Sequence, residues 1–214
     1  MALTDPSARL DTSDLTPRSP WDGARMTLEE FLALPEDSET ALEFDDGVVT
    51  QKVAPQFDHS SLQSEILRSL DRLATDRHLG VARTELRFVV PGWAPVPDVS
   101  YIRRERLKPA SRRRFGKIEI PPDLAVEIIS PDQTVRELLE KCLRYAGAGV
   151  AVSLVIDDDD ETIYAIRPGQ PLRVLRGDDR IDIDDVLPGF ELTVKALFDS
   201  VVPDWLVDEP SAEA

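Results

Sequence analysis

Three charged side chains in the middle of the chain, Asp98, Glu127 and Lys141, are of the types that hydrolyse phosphate esters. Asp98 follows a proline at the start of one predicted strand, and Glu127 lies inside the next. Two carboxylates on adjacent strands can share a hard divalent cation, because Mg²⁺ prefers oxygen ligands and keeps several waters. Such an ion activates water and stabilises charge on a phosphoryl group. The set indicates phosphodiester hydrolysis with Mg²⁺ or Mn²⁺ as the cofactor.

Glu127 is the least ordinary member of this set, because it interrupts the apolar stretch "LAVEII" at 124–129. That stretch is apolar on both faces, which predicts a central strand. An ionised carboxylate inside an apolar strand is costly unless something pairs with it. The alternatives are an edge-strand glutamate that faces water and a core glutamate paired with an arginine. Asp98 also has a plainer interpretation, as part of a Pro-Asp turn.

Lys141 lies on the helix that follows this strand. A capping box at Thr134 predicts that the helix begins there and runs to about Ala146. On a helical wheel Lys141 flanks the apolar stripe, so its amine can lean toward the strand that carries Glu127. An amine placed there can orient the attacking water or neutralise developing charge. The alternative is a surface ion pair with Glu137, four residues earlier.

Two further polar residues, Glu43 and His59, are candidates for the same site. Glu43 lies in a predicted hairpin around Asp46-Gly47, a dipeptide typical of tight turns. His59 opens a predicted helix and shares a face with Ile66, which can aim it at the site as a proton carrier or hydrogen-bond donor. A polar residue at a helix N-terminus is an equally good interpretation. Two histidines and one cysteine leave no zinc set of the usual spacing.

The charge distribution bears on the substrate. A net charge of −16 argues against simple binding of nucleic acid, because phosphate backbones attract basic surfaces. Residues 103–117 are the exception, with eight basic residues and one acid, and we predict a loop there that tracks a phosphate backbone. Its predicted nucleic-acid contacts are Arg103, Arg104, Arg112, Arg113 and Arg114.

The rest of the chain predicts a single α/β (α+β) domain, a central mixed β-sheet flanked by helices. We place a flexible N-terminal arm at residues 1–24, the domain at 25–200 and a C-terminal tail at 201–214. The apolar runs are far shorter than a membrane span, and no signal peptide is present, so we expect a cytoplasmic protein without membrane contact.

Several local elements are predicted outside the site. A capping box at Thr27 predicts a short helix from Leu28 to Leu34. The long helix that opens near His59 is predicted to end at Gly80. The stretch "VARTELRFVV" at 81–90 predicts one strand, and "PGWAPVP" at 91–97 predicts a proline-rich turn.

Six segments occur in an order that resembles the Uma-two family of restriction endonucleases, within the PD-(D/E)XK nuclease fold. They are "MTLEEFLALPED", "LEFDDGVVT", "APQFDHSSLQSEI", "PVPDVSYI", "DLAVEIISPDQTVRELLEKCLRYAGAGV" and "LPGFELTVKALF". The resemblance covers roughly residues 26–198. It implies a restriction-endonuclease-like core sheet flanked by helices.

The resemblance also implies roles for the site residues. Asp98 and Glu127 match the metal ligands, and Glu43 matches a hairpin acid that is a further ligand through water. The fold's usual lysine lies two residues after the glutamate, where this chain has Ile129. The family's lysine lies on the following helix instead, where Lys141 matches. The resemblance adds a matching histidine, His59, without a defined role.

Two hypotheses from different classes follow. The first is a Mg²⁺-dependent endonuclease, acting as a homodimer on nucleic acid, with DNA favoured over RNA. The second is a catalytically idle interaction module or homodimer that keeps the nuclease fold, which the net charge of −16 favours.

Overall fold

The structure of the protein is a computed structural model, and it describes residues 18–35, 41–52, 56–107, 120–131 and 133–202. The strands in these ranges are β1 Leu42–Asp45, β2 Val48–Gln51, β3 Gly80–Thr84, β4 Trp93–Ala94, β5 Val99–Arg103, β6 Leu124–Ile128, β7 Val152–Asp157, β8 Thr162–Ile166 and β9 Arg173–Arg176. The helices are α1 Leu28–Leu32, α2 Phe57–Asp76, α3 Val135–Ala148 and α4 Val194–Asp199, with a 3₁₀ turn at Arg104–Arg106.

Six strands form the large sheet in the order β3-β5-β6-β7-β8-β9. Strands β6 and β7 run parallel and are joined by α3, whereas the other neighbours are antiparallel. Helices α2 and α4 pack on one face of this sheet, and α3 packs on the other. The predicted central mixed sheet flanked by helices is confirmed.

Strand β6 lies in the middle of the large sheet. Its even-numbered residues Leu124, Val126 and Ile128 belong to the core under α2, whereas Ala125 packs with α3 on the other face. Alternation along a strand puts Glu127 on the α3 face as well. The prediction of a central strand is confirmed, and the alternative of an edge-strand Glu127 is excluded.

A second, small sheet has the order β2-β1-β4. The Asp46-Gly47 turn joins β1 and β2, as predicted, and both residues have positive φ. The predicted turn over 91–97 is present at 91–92, but the prediction is wrong for Trp93 and Ala94, which pair with β1 and are buried. The surrounding prolines and glycine conceal this two-residue strand in the sequence.

The predicted end of α2 is also wrong. The helix ends at Asp76, and His78 takes the left-handed conformation with φ 54°. Gly80 instead begins β3, where a Cβ atom would lie 2.3 Å from the carbonyl oxygen of Ile102. The glycine is therefore explained by close packing of two strands and not by helix termination.

The strand predicted over 81–90 is shorter in the structure. Strand β3 ends at Thr84, because Glu85 takes a left-handed conformation with φ 51°. The chain then crosses toward the small sheet, and Val90 forms an isolated bridge with Trp93. This turn directs the Glu85 carboxylate toward Lys52.

The capping boxes are confirmed at both predicted helix starts, Thr27 and Thr134. Helix α1 ends at Leu32, two residues earlier than predicted, and α3 runs to Ala148 and is closed by Gly149 in the left-handed conformation. Of the predicted N-terminal arm, Ser19 and Gly23 hydrogen-bond to residues of β2, so contacts with the domain begin before residue 25. No helix in the described ranges has the length and apolar character to cross a bilayer.

Candidate active site

Asp98 and Glu127 face each other across two antiparallel strands. Val99 of β5 pairs with Val126 of β6, so the preceding Asp98 stands opposite Glu127. The backbone N–H of Ile128 donates to Asp98 Oδ2 at 2.7 Å, which fixes the carboxylate against β6. Both side chains are buried, each with 3% of the residue exposed. The two carboxylates are therefore brought together as predicted.

Glu127 lies in a pocket of aromatic and ionic groups. The Tyr145 hydroxyl donates to Glu127 Oε1 at 2.5 Å, and Lys141 Nζ lies 3.1 Å from the same oxygen. Burial raises the pKa of Glu127 to about 7, although the Lys141 charge acts in the opposite direction and Asp98 adds to the rise. Glu127 is thus poised between its protonated and ionised forms near neutral pH.

Lys141 bridges the two sheets. Its Nζ atom donates to Glu43 Oε1 at 2.9 Å and contacts Glu127, while Glu43 also accepts the Val96 N–H at 2.7 Å. Burial alone would lower the pKa of Lys141, but the two carboxylates outweigh it and raise that pKa, so the ammonium stays charged. The predicted lean of Lys141 toward Glu127 is confirmed. Its partners are these two acids, and Glu137 instead completes the capping box with Thr134.

Asp98 is held by two basic side chains. Lys52 Nζ lies 2.6 Å from Asp98 Oδ1, and His59 Nε2 lies 3.4 Å from Oδ2. Burial raises the pKa of Asp98, but the His59 hydrogen bond and the Lys52 charge more than offset this effect and hold it well below its usual range. His59 is itself buried at the start of α2, and its Nδ1 atom has no hydrogen-bond partner. The structure therefore places His59 in the site beside Asp98.

Lys52, Glu85 and Gln63 belong to the site but are absent from the sequence-based set. Lys52 directly follows β2 and contacts Glu85 Oε1 at 3.3 Å, in addition to Asp98. Gln63 lies one turn after His59 on α2 and donates to both Glu85 and the Asp98 carbonyl oxygen. The available signal for Lys52 was its position in the same predicted hairpin as Glu43.

A clamp fastens the small sheet to α3 next to Lys141. The Arg144 guanidinium donates two hydrogen bonds to Asp45, at 2.5 and 2.8 Å, and lies 4.3 Å above the Trp93 ring. Trp93 in turn stacks on Tyr145, with ring centroids 5.0 Å apart. This clamp keeps the hairpin that carries Glu43 and Lys52 against the rest of the site.

The donor set can be tested against the chemistry of Mg²⁺. The opposed carboxylates of Asp98 and Glu127 meet its minimal need for one or two protein oxygen ligands, with waters completing the shell. Across the described part of the chain, no group of three or more His, Cys, Asp or Glu side chains is arranged to hold a metal ion. The ammonium groups of Lys52 and Lys141 contact Asp98 and Glu127, respectively. Asp98 and Glu127 therefore fit a water-rich Mg²⁺ site as its two protein ligands, whereas Glu43 contacts Lys141 and the Val96 N–H.

Of the predicted nucleic-acid contacts, Arg103 and Arg104 lie at the other end of β5. Arg103 ends the strand that Asp98 precedes, so about five residues, or roughly 17 Å, separate them. Arg103 Nε lies 2.7 Å from Asp123, a buried carboxylate, and is occupied in that pair. Arg104 is exposed in the 3₁₀ turn, and Arg112, Arg113 and Arg114 lie outside the described residues. The structure therefore brings neither Arg103 nor Arg104 to the carboxylate pair.

The family model described as "Uma2: Putative restriction endonuclease" matches residues 28–195, which include every site residue named above. The chain belongs to the Uma2 family. This confirms the resemblance seen in the sequence.

A solved structure agrees with the Uma2 assignment. The chain is similar to the crystal structure of "a putative nuclease belonging to DUF820 from Anabaena variabilis ATCC 29413". The two are 31% identical with a TM-score of 0.76, over 83% of this chain and 99% of that one. The comparison with curated proteins found no match. The nuclease-like fold is thus shown by both topology and likeness.

Proposed function

We propose that this protein is a divalent-metal-dependent endonuclease that hydrolyses phosphodiester bonds in nucleic acid. The observation that carries the proposal is the meeting of Asp98, Glu127 and Lys141 at one point of a Uma2-family fold. DNA is the preferred substrate in this proposal, because the family description names restriction endonucleases, and such enzymes cut DNA.

In this proposal Asp98 and Glu127 hold Mg²⁺ or Mn²⁺, and Glu43 contributes through a water. A metal ion bound there supplies an activated water and stabilises charge on the phosphoryl group. Glu127 must be ionised to act as a ligand, and its pKa of about 7 makes that step accessible at neutral pH. Asp98 is already ionised, because Lys52 and His59 favour its charged form.

Lys141 has a separate role. An ammonium group has three donors, and the contacts to Glu43 and Glu127 use two of them. The third donor can reach a phosphoryl oxygen or the attacking water, where a fixed positive charge stabilises the transition state. The contacts on both sides keep this charge in place before substrate binds, so little reorganisation is needed.

The test is cleavage of supercoiled plasmid and of a matched RNA in Mg²⁺, Mn²⁺ or EDTA. Wild-type protein should cut in the presence of metal and not in EDTA, and Glu127→Gln should lower the rate by about 100-fold or more. The matched control is Glu140→Gln, an exposed acid of α3 that pairs with Arg136 and should leave the rate unchanged. Equal rates for wild type and Glu127→Gln would remove Glu127 from the mechanism.

One observation favours the second candidate function, an interaction module that keeps the fold without catalysis. Asp98 and Glu127 already have ammonium partners in Lys52 and Lys141, so the carboxylates are partly neutralised without a metal. Titration calorimetry with Mn²⁺ separates the two candidates. A binding isotherm that Asp98→Asn abolishes supports the nuclease, and no heat from wild type supports the module.

A further inference from the structure

Lys52 is built into the site more firmly than a surface lysine. Its Nζ atom has three acceptors: Asp98 Oδ1 at 2.6 Å, the Val96 carbonyl oxygen at 3.0 Å and Glu85 Oε1 at 3.3 Å. These match the three donors of an ammonium group. Only 18% of the side chain is exposed, and the Lys52 backbone N–H donates to the Ala41 carbonyl oxygen at the base of the hairpin. Both ends of the residue are therefore fixed.

Both oxygens of Asp98 are engaged. Oδ1 accepts from Lys52, and Oδ2 accepts from the Ile128 N–H at 2.7 Å and faces His59. The contact to Oδ2 is a buried hydrogen bond from the β6 backbone to the Asp98 side chain, and breaking it would leave the Ile128 N–H without this acceptor. We therefore expect a cation that binds Asp98 to approach Oδ1, the oxygen that Lys52 occupies.

Two positive charges on one carboxylate oxygen repel each other, and burial strengthens that repulsion because little water screens it. Glu127 differs, because Tyr145 and Lys141 both contact the same oxygen, Oε1. Lys141 is also retained by Glu43. We therefore expect a lysine to compete with the divalent cation mainly at Asp98, and less at Glu127.

We propose that Lys52 is an internal counter-ion that competes with the divalent cation for Asp98, so that cation binding displaces the Lys52 ammonium toward Glu85. This inference rests on the proposed function, because it requires Asp98 to be a metal ligand. Glu85 is suited to receive the displaced charge, since it already contacts Nζ and is held in place by Gln63. Lys52 is thus a positioning residue that occupies Asp98 without metal and lowers the affinity for metal.

The direct test is the Kd for Mn²⁺, measured by titration calorimetry and by the electron paramagnetic resonance signal of free Mn²⁺. Lys52→Met should bind Mn²⁺ about tenfold more tightly or better than wild type, because the competing charge is gone. Lys52→Arg keeps the charge and should stay near wild type. Lys195→Met is the matched control, since Lys195 pairs only with Asp199 among the salt bridges of the described residues. A merely structural lysine would not raise the affinity when removed.

The outcomes separate this inference from the proposed function. If wild type binds Mn²⁺ and Lys52→Met binds it equally or more weakly, the counter-ion role is overturned while the metal site stands. If neither protein binds Mn²⁺, both fail. If only Lys52→Met binds, the counter-ion role is supported in its strongest form.

A second measurement covers loss of stability in the variant. Lys52→Met removes a positive charge beside the buried Asp98 carboxylate. The Tm of this variant in EDTA should therefore fall below that of wild type. Saturating Mn²⁺ should then raise the Tm of Lys52→Met by more than it raises that of wild type. Lys52→Gln, which keeps a hydrogen-bond donor, serves the same comparison if Lys52→Met does not fold. An equal or smaller rise would overturn the inference.

Discussion

Asp98 and Glu127 carry the same functional group at opposed positions of one strand pair, yet their surroundings drive their pKa values apart. Around Asp98 a histidine and a lysine outweigh burial and hold its pKa well below the usual range, and the Ile128 N–H donates to the same carboxylate. Around Glu127 burial dominates, and its pKa rises to about 7 even with Lys141 in contact. The Lys141 charge therefore does not offset burial at Glu127, whereas Lys52 and His59 together offset it at Asp98.

The difference in pKa suits two separate roles for Asp98 and Glu127 in the proposed metal site. A carboxylate that is always ionised provides a permanent attraction for a divalent cation, whereas one that titrates near neutrality can follow the arrival of that cation. The pair resembles other sites in which two acids are given distinct roles by their environments. Three substitutions test this contrast between the two carboxylates.

Asp98→Asn in EDTA should have the largest effect on stability. The depressed pKa of Asp98 means that its ionised form stabilises the fold above its ordinary pKa, and this stability is lost as pH falls through the native value. At pH 7 the substitution removes the main partner of the buried Lys52, so unfolding should become easier by about 3 kcal/mol. Urea unfolding measures this, with Glu140→Gln as a control expected within about 0.5 kcal/mol of wild type. A fully stable Asp98→Asn would show that Lys52 needs no anion there.

Glu127 should give the opposite dependence on pH. Its pKa of about 7 lies above the ordinary value of 4.5, so between these values the folded protein binds a proton that the unfolded chain has released. In EDTA the free energy of unfolding of wild type should therefore fall as pH rises from 5 to 8. Glu127→Gln lacks this loss, so its stability relative to wild type should improve by roughly 2 kcal/mol across the window. Urea unfolding at several pH values gives the free energy of unfolding of wild type and Glu127→Gln as a function of pH. Parallel curves for the two proteins would contradict a raised pKa at Glu127.

Tyr145→Phe should have the smallest effect. The substitution removes the O–H that donates to Glu127 Oε1 and keeps the ring that stacks on Trp93. The expected loss of stability at pH 8 is about 1 kcal/mol. A double-mutant cycle with Glu127→Gln isolates the contact, and the loss should shrink in the Glu127→Gln background. An unchanged loss in that background would place the role of the hydroxyl elsewhere.

The Glu127 half of the site was accessible from the sequence, because its parts are local. The strand, the capping box and the helix that follow one another from 124 to 148 are each defined by nearby residues. The lean of Lys141 follows from helical geometry alone. Only its second partner, Glu43, required knowledge of the fold, since 98 residues separate the two.

The Asp98 half was less accessible, because it depends on how the small sheet docks. Lys52 and Asp98 are 46 residues apart in the chain. The hydrophobic periodicity of a helix or a strand predicts local structure and gives no information about this contact. Glu85 was hidden inside what looked like one strand, since a left-handed turn at a glutamate has no reliable sequence signal. The basic segment shows the converse. Its composition is evident in the sequence, but its start lies at the far end of β5 from the site.

The β1–β2 hairpin connects the two halves mechanically. Glu43 of this hairpin contacts Lys141, and Lys52, directly after it, contacts Asp98. Arg144 binds Asp45, which lies next to the hairpin turn. A shift of this hairpin by one ångström would withdraw an anion from one half and a cation from the other in the same movement. Asp45 and Arg144 contact neither Asp98 nor Glu127. Substitutions at these two positions should nevertheless change the charge around both carboxylates, because the hairpin positions Glu43 and Lys52 together.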